Sequence, residues 1–68
     1  MWNPGDLVEV TDIAAMPALI GSVGIIVRRL GVNPNGGEDH FYEVDVSSHG
    51  YQILIEKELR LVREANKK

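Results

Sequence analysis

An all-β domain is the fold class this sequence predicts, and three observations carry it. Apolar and polar residues alternate over short runs, as in Leu7-Val8-Glu9-Val10 and Phe41-Tyr42-Glu43-Val44-Asp45-Val46. The runs are rich in Val, Ile and Leu, which fit a pleated, half-buried surface. Clusters of Gly, Pro, Asn and Ser punctuate them. With 68 residues the chain holds a single domain, and 44% hydrophobic residues suffice for a core. There is no cysteine, so neither a disulfide nor a thiolate zinc site reinforces so small a fold.

Asn3-Pro4-Gly5-Asp6 supplies the first turn, because Pro4 fixes its own φ and Gly5 accepts positive φ. The first strand follows at 7–11, with Val8 and Val10 on one face and Glu9 on the other. Residues 12–20 read as a connection interrupted by Pro17. The second strand is expected over 23–30, and Gly24 within it marks a bulge or a tight corner. Residues 31–39 read as a mobile glycine-rich loop, with Asn35-Gly36 the strongest hairpin signal. The third strand, 41–46, places Tyr42, Val44 and Val46 on one face and Glu43 and Asp45 on the other. After the turn at 47–50 comes a fourth strand, 51–55, whose register stays open because Ile53, Leu54 and Ile55 are all apolar.

The last segment supports two readings. Ile55, Leu59 and Val62 fall at i, i+4 and i+7, as in a short amphipathic helix. The alternative is one helical turn at 56–59 and a short strand at 60–62. Strand count favours the second, since a fifth strand can close a barrel and remove exposed edges. A frayed tail is expected from about Ala65, leaving 1–64 as the domain.

Gly5-Asp6-Leu7-Val8-Glu9-Val10, then Gly21-Ser22-Val23-Gly24-Ile25-Ile26-Val27, and the closing Glu56-Lys57-Glu58-Leu59-Arg60-Leu61-Val62 together resemble an SH3-like small barrel of the KOW type. The resemblance spans roughly residues 2–63. It implies a five-stranded SH3-like barrel with a single helical turn before the last strand. The opening Met1-Trp2-Asn3-Pro4-Gly5-Asp6 and the short length also resemble small proteins encoded by tailed phages. Such a barrel hosts unrelated tasks, so function rests on the particular residues. The aromatic groove of peptide-binding SH3 domains has no counterpart in the 12–20 connection. KOW-type members that bind RNA or ribosomes are generally basic, whereas this chain has ten acidic residues against seven basic ones. Two of those seven are Lys67 and Lys68 at the end of the tail, and residues 1–27 carry no Lys or Arg.

The stretch Ile13-Ala14-Ala15-Met16-Pro17-Ala18-Leu19-Ile20 is apolar throughout, although connections are ordinarily polar. In one reading Leu19 and Ile20 cap the open end of the barrel. In the other the stretch docks a partner, with Ile13, Met16, Pro17 and Leu19 as contacts. The docking reading is the expectation, since a barrel this small has little core room. The leading function is therefore a non-catalytic protein–protein or assembly module, an accessory subunit acting in the cytoplasm through a protein partner or self-association. A KOW-like nucleic-acid or ribosome regulator using Arg28, Arg29, Lys57, Arg60 and Arg63 is the alternative, disfavoured by charge. An acidic mimic of nucleic acid, built on Asp6, Glu9, Asp12, Glu43 and Asp45, comes last.

No cofactor, metal, membrane or small-molecule substrate is expected. His40 and His49 are nine residues apart, about 30 Å on an extended strand, too far to share a metal. Glu38 and Asp39 alone make a thin cation site. Ser22, Ser47 and Ser48 are turn residues without a base nearby, so no enzyme is expected. Arg28 and Arg29 point to opposite faces of a strand, and one of them is expected to pair with Glu43 or Asp45. Trp2 is read as core in preference to an interface anchor.

Overall fold

The computed structural model describes residues 2–13, 16–32 and 39–65, and within them five strands form one antiparallel sheet. The strands are β1 (Leu7–Val10), β2 (Val23–Val32), β3 (His40–Val46), β4 (Gly50–Ile55) and β5 (Leu59–Arg63). Two single 3-10 turns, Pro17–Leu19 and Glu56–Glu58, are the helical elements. The helix reading of the C-terminal segment is thus overruled in favour of turn and strand. Leu59 is buried and Arg60 exposed, an alternation that follows a strand's period of two. No helix among the described residues is long and apolar enough to cross a membrane.

The strand order is β4-β3-β2-β1-β5, so the last strand lies beside the first. One face of the sheet is buried on itself. Val8 and Val10 from β1, Ile26 from β2, Tyr42, Val44 and Val46 from β3, Leu54 from β4 and Leu59 from β5 form a single cluster. Leu54 settles the register of β4: it points inward, and Ile53 points out. A single sheet can bury one face without a second layer only by curling.

Two devices in β2 produce the curl. Val44 faces Ile26 and Glu43 faces Arg28, which leaves Val27 as an extra residue; Leu30 is extra in the same way between Arg29 and Gly31. Each bulge bends its strand and adds twist. A third lies in β5, where the partner of Leu7 is Arg63 and that of Val8 is Leu61, so Val62 is skipped.

The expected barrel does not close. β4 and β5 are the sheet's two edges and do not pair with each other among the described residues. Yet only Glu56–Glu58 separates the end of β4 from the start of β5. Four residue steps reach at most about 14 Å, so the two edges lie within that distance of each other at this turn.

Gly24 is not a bulge. It lies in regular register between Val8 and Val46, and a Cβ there would stand 2.7 Å from the Asp45 carbonyl oxygen and 2.8 Å from Val44 Cγ1. The glycine permits close approach of β2 to β3. Of the tail expected from Ala65, residues 66–68 lie outside the described residues and Ala65 itself is held. The Ala65 N–H donates to Asp6 Oδ1 at 2.7 Å, and Ala65 is half-buried. The loop expectation over 31–39 is shortened, because Gly31 and Val32 belong to β2; its centre, 33–38 with Asn35-Gly36, lies outside the described residues.

Candidate functional site

The first connection divides between core and surface. Leu19 is fully enclosed and Ile13 only 8% exposed, so both belong to the hydrophobic core. The expectation that Ile13 and Leu19 contact a partner is thereby corrected. Met16 (42% exposed), Pro17, Ala18 and Ile20 (48% exposed) remain at the surface. Ala14 and Ala15 lie outside the described residues.

Local hydrogen bonds explain this division. The Leu19 and Ile20 N–H groups donate to the Met16 and Pro17 carbonyls at 2.9 and 3.1 Å, making one tight turn. The Gly21 N–H donates to the Val10 carbonyl at 2.8 Å, and the Val10 N–H to the Ser22 carbonyl at 2.9 Å. The end of the connection is thus tied to β1. With Leu19 as anchor, the turn holds Met16, Pro17, Ala18 and Ile20 outward.

The basic residues do not form one surface. Arg28 Nε donates to Glu43 Oε1 at 2.7 Å, the cross-strand pair expected from register. Arg60 pairs with Glu9 across β5 and β1, and Lys57 Nζ lies 3.7 Å from Asp39 Oδ1. Arg29 is registered opposite Tyr42, one position from Arg28 and so on the other face. Arg63 is exposed on β5, with β1 lying between it and β2. Arg28, Lys57 and Arg60 already hold a carboxylate, and the five cations are spread over β2, the 56–58 turn and β5.

The acidic set is dispersed too. Asp6 is only 4% exposed and cannot present its charge to a partner, which corrects its place in the acidic-mimic reading. Its carboxylate accepts from the Asn3 N–H at 2.9 Å and the Ala65 N–H at 2.7 Å. Glu9 and Glu43 are in the ion pairs just described. Asp12 and Asp45 stay exposed.

His40 opens β3 and His49 lies in the turn beyond its other end, where Nδ1 is 2.7 Å from Ser48 Oγ. Among the described residues no three of His, Asp and Glu assemble into a metal-holding group. A shallow, open depression of about 280 Å³ is lined by Asp12, Ile55, Lys57 and Glu58.

Trp2 packs against the core as a lid, as expected, and its main-chain N–H donates to the Tyr42 hydroxyl at 3.1 Å. Its indole N–H is buried without a partner among the described residues. Burial, followed by the nearby Glu56 carboxylate, outweighs the Trp2 hydrogen bond and raises the Tyr42 pKa above the usual phenol value.

One surface was missed in sequence. Tyr51 and Ile53 on β4 are 67% and 64% exposed, the most exposed of the large apolar side chains described. The signal was present in a run, Gly50–Ile55, that lacks both charge and proline. Known protein families, curated proteins and solved structures were compared with the chain, and none matches.

Proposed function

We propose that this chain is a non-catalytic protein–protein interaction module of SH3-like, KOW-type build, an accessory subunit that docks a partner through its first connection. The strand order, with β5 beside β1 and a lone 3-10 turn before it, supports the build. One observation carries the function: a turn anchored by a buried Leu19 holds Met16, Pro17, Ala18 and Ile20 at the surface. An unbranched thioether beside rigid proline suits a contact that must fit a partner's contours. The module works in the cytoplasm in this reading, because a cysteine-free chain needs no oxidising compartment. Phage particles are one assembly that would use such a subunit.

The experiment substitutes the exposed members and spares the core. Met16→Asp with Ile20→Ser should abolish capture of a partner from the native host while the melting temperature stays within a few degrees of the parent. Undiminished capture by a folded double variant would remove the first connection from the interface. The ion pairs of Arg28, Lys57 and Arg60 count against the nucleic-acid reading, and a mobility-shift assay at about 50 mM salt, where phosphate contacts are strong, should show no retarded band.

A further inference from the structure

The hairpin geometry of β3 and β4 fixes which main-chain groups of β4 are used. Val46 pairs with Gly50 next to the turn, where the His49 N–H donates to the Val46 carbonyl at 3.0 Å. In an antiparallel ladder, hydrogen-bonded pairs alternate with non-hydrogen-bonded ones. Gly50, Gln52 and Leu54 therefore turn their main-chain groups toward β3, and Tyr51, Ile53 and Ile55 turn theirs to the open edge. The Ile55 N–H bears this out, since it donates away from β3 to Glu58 Oε1 at 3.1 Å.

That bond closes one end of the edge. At the other end the Gln52 side chain folds back, its Nε2 donating to the His49 carbonyl at 3.1 Å. What stays open among the described residues is a window at Tyr51 and Ile53, symmetric about Gln52. Natural edge strands are commonly guarded by Lys, Pro or a bulge. β5 at the opposite edge carries Arg60, Arg63 and the Val62 bulge, whereas β4 has none of these guards.

We propose that β4 is a self-association site, at which a second copy of this chain adds its own β4 antiparallel about a two-fold axis through Gln52. Tyr51 of one copy then faces Ile53 of the other, and the reverse. Each such pair exchanges both main-chain hydrogen bonds. The side chains of each pair lie on the same outer face, an aromatic against a β-branched residue, a combination that stabilises sheets. The window read backwards presents the same arrangement, which is the requirement of a two-fold interface. A net charge of −3 opposes association. Level with the window the nearest carboxylates, on Asp45 and Glu43, stand one strand back, so those of the two copies are separated by three strand spacings, about 14 Å. The edge carboxylate of Glu58, bonded to Ile55, lies six residue steps along the ladder from its counterpart, about 20 Å. Both exceed the screening length of about 8 Å at physiological salt. The surface is distinct from Met16 and Ile20, so the proposal stands apart from the docking function.

Sedimentation equilibrium with amide exchange by NMR tests it. Average mass should rise toward twice that of the single chain with concentration. The Tyr51 and Ile53 amides should slow together, by roughly tenfold once nine chains in ten are paired, while the Gln52 amide should not follow them. Ile53→Lys should hold the protein monomeric. Should that variant fail to fold, N-methylation of the Ile53 amide in synthetic protein removes the donor and spares the β3 ladder. A parent that stays monomeric throughout, or a dimer that survives the N-methyl group with Tyr51 still exchanging fast, overturns the proposal. Met16→Asp with Ile20→Ser should leave the dimer intact, so loss of docking and loss of pairing are read separately.

Discussion

Asp6 shows how much a single side chain of this chain does. Its carboxylate receives the Asn3 and Ala65 N–H groups, its own N–H donates to the Asn3 carbonyl at 3.0 Å, and its carbonyl accepts from the Ile26 N–H at 2.9 Å. One residue therefore closes the first turn, starts the β1–β2 ladder and fastens the end of the chain. Gly5 beside it has φ of 93°, where an L side chain is strained, and a Cβ would also stand 3.1 Å from that of Ala65. Hydrogen bonds to a charged acceptor contribute about 1.5–3 kcal/mol each. Asp6→Ala should lower urea stability by about 3 kcal/mol, the low end for two such bonds because water can reach the freed N–H groups. It should also make the segment after Arg63 cleavable by protease before global unfolding. Equal protease resistance in parent and variant would deny the fastening role. The Gly-Asp pair was visible in the sequence, and its partner Ala65 was not, because fifty-nine residues of chain separate them.

At the scale of elements, β2 governs the shape. Its first half alternates, with Gly24 and Ile26 inward and Val23 and Ile25 outward. Val27 and Leu30 then fall out of register and bend the strand around the core. Both are exposed, as is the skipped Val62 of β5, so part of the apolar surface comes from bulges. Gly24 is the most crowded of the described glycines, and the atoms around it include the β3 backbone. Gly24→Ala should destabilise by about 1–3 kcal/mol, the range for overpacking a filled core, and should broaden NMR signals of Val44 and Val46. A variant as stable as the parent would show that β2 and β3 can part without loss. Bulge positions escaped the sequence reading because an extra residue leaves no mark when its neighbours are apolar as well.

The whole molecule depends on one small core, and Tyr42 lies at its centre with its hydroxyl between Trp2 and Glu56. The phenol's folded pKa is raised, chiefly by burial. Folding therefore favours the protonated form, and this share of stability is complete below the unfolded value of about 10. It is lost as pH rises toward the folded pKa and beyond. Denaturant stability measured between pH 8 and 11 should fall above pH 10, and Tyr42→Phe should flatten that fall while lowering stability at neutral pH. An identical alkaline slope in the variant would place the effect elsewhere. The same core explains the fate of the greasy first connection. A curled sheet buries one face, and Ile13 and Leu19 from the connection join the cluster that the strands form there. Composition alone could not apportion the eight residues between core and surface, because inward and outward positions in a 3-10 turn follow no strand period.

Sequence by itself determined the first four strands, the face that Tyr42, Val44 and Val46 share, and that one of Arg28 and Arg29 pairs with Glu43 or Asp45. Each follows from residues near in the chain or from the period of two, which local sterics impose. Tertiary structure alone decided that the sheet stays open, that Asp6 is interior, that Leu19 is core and that β4 is left as an unguarded edge. Those outcomes depend on which strands lie side by side and how far they curl, and both are properties of the packed whole that no local pattern encodes.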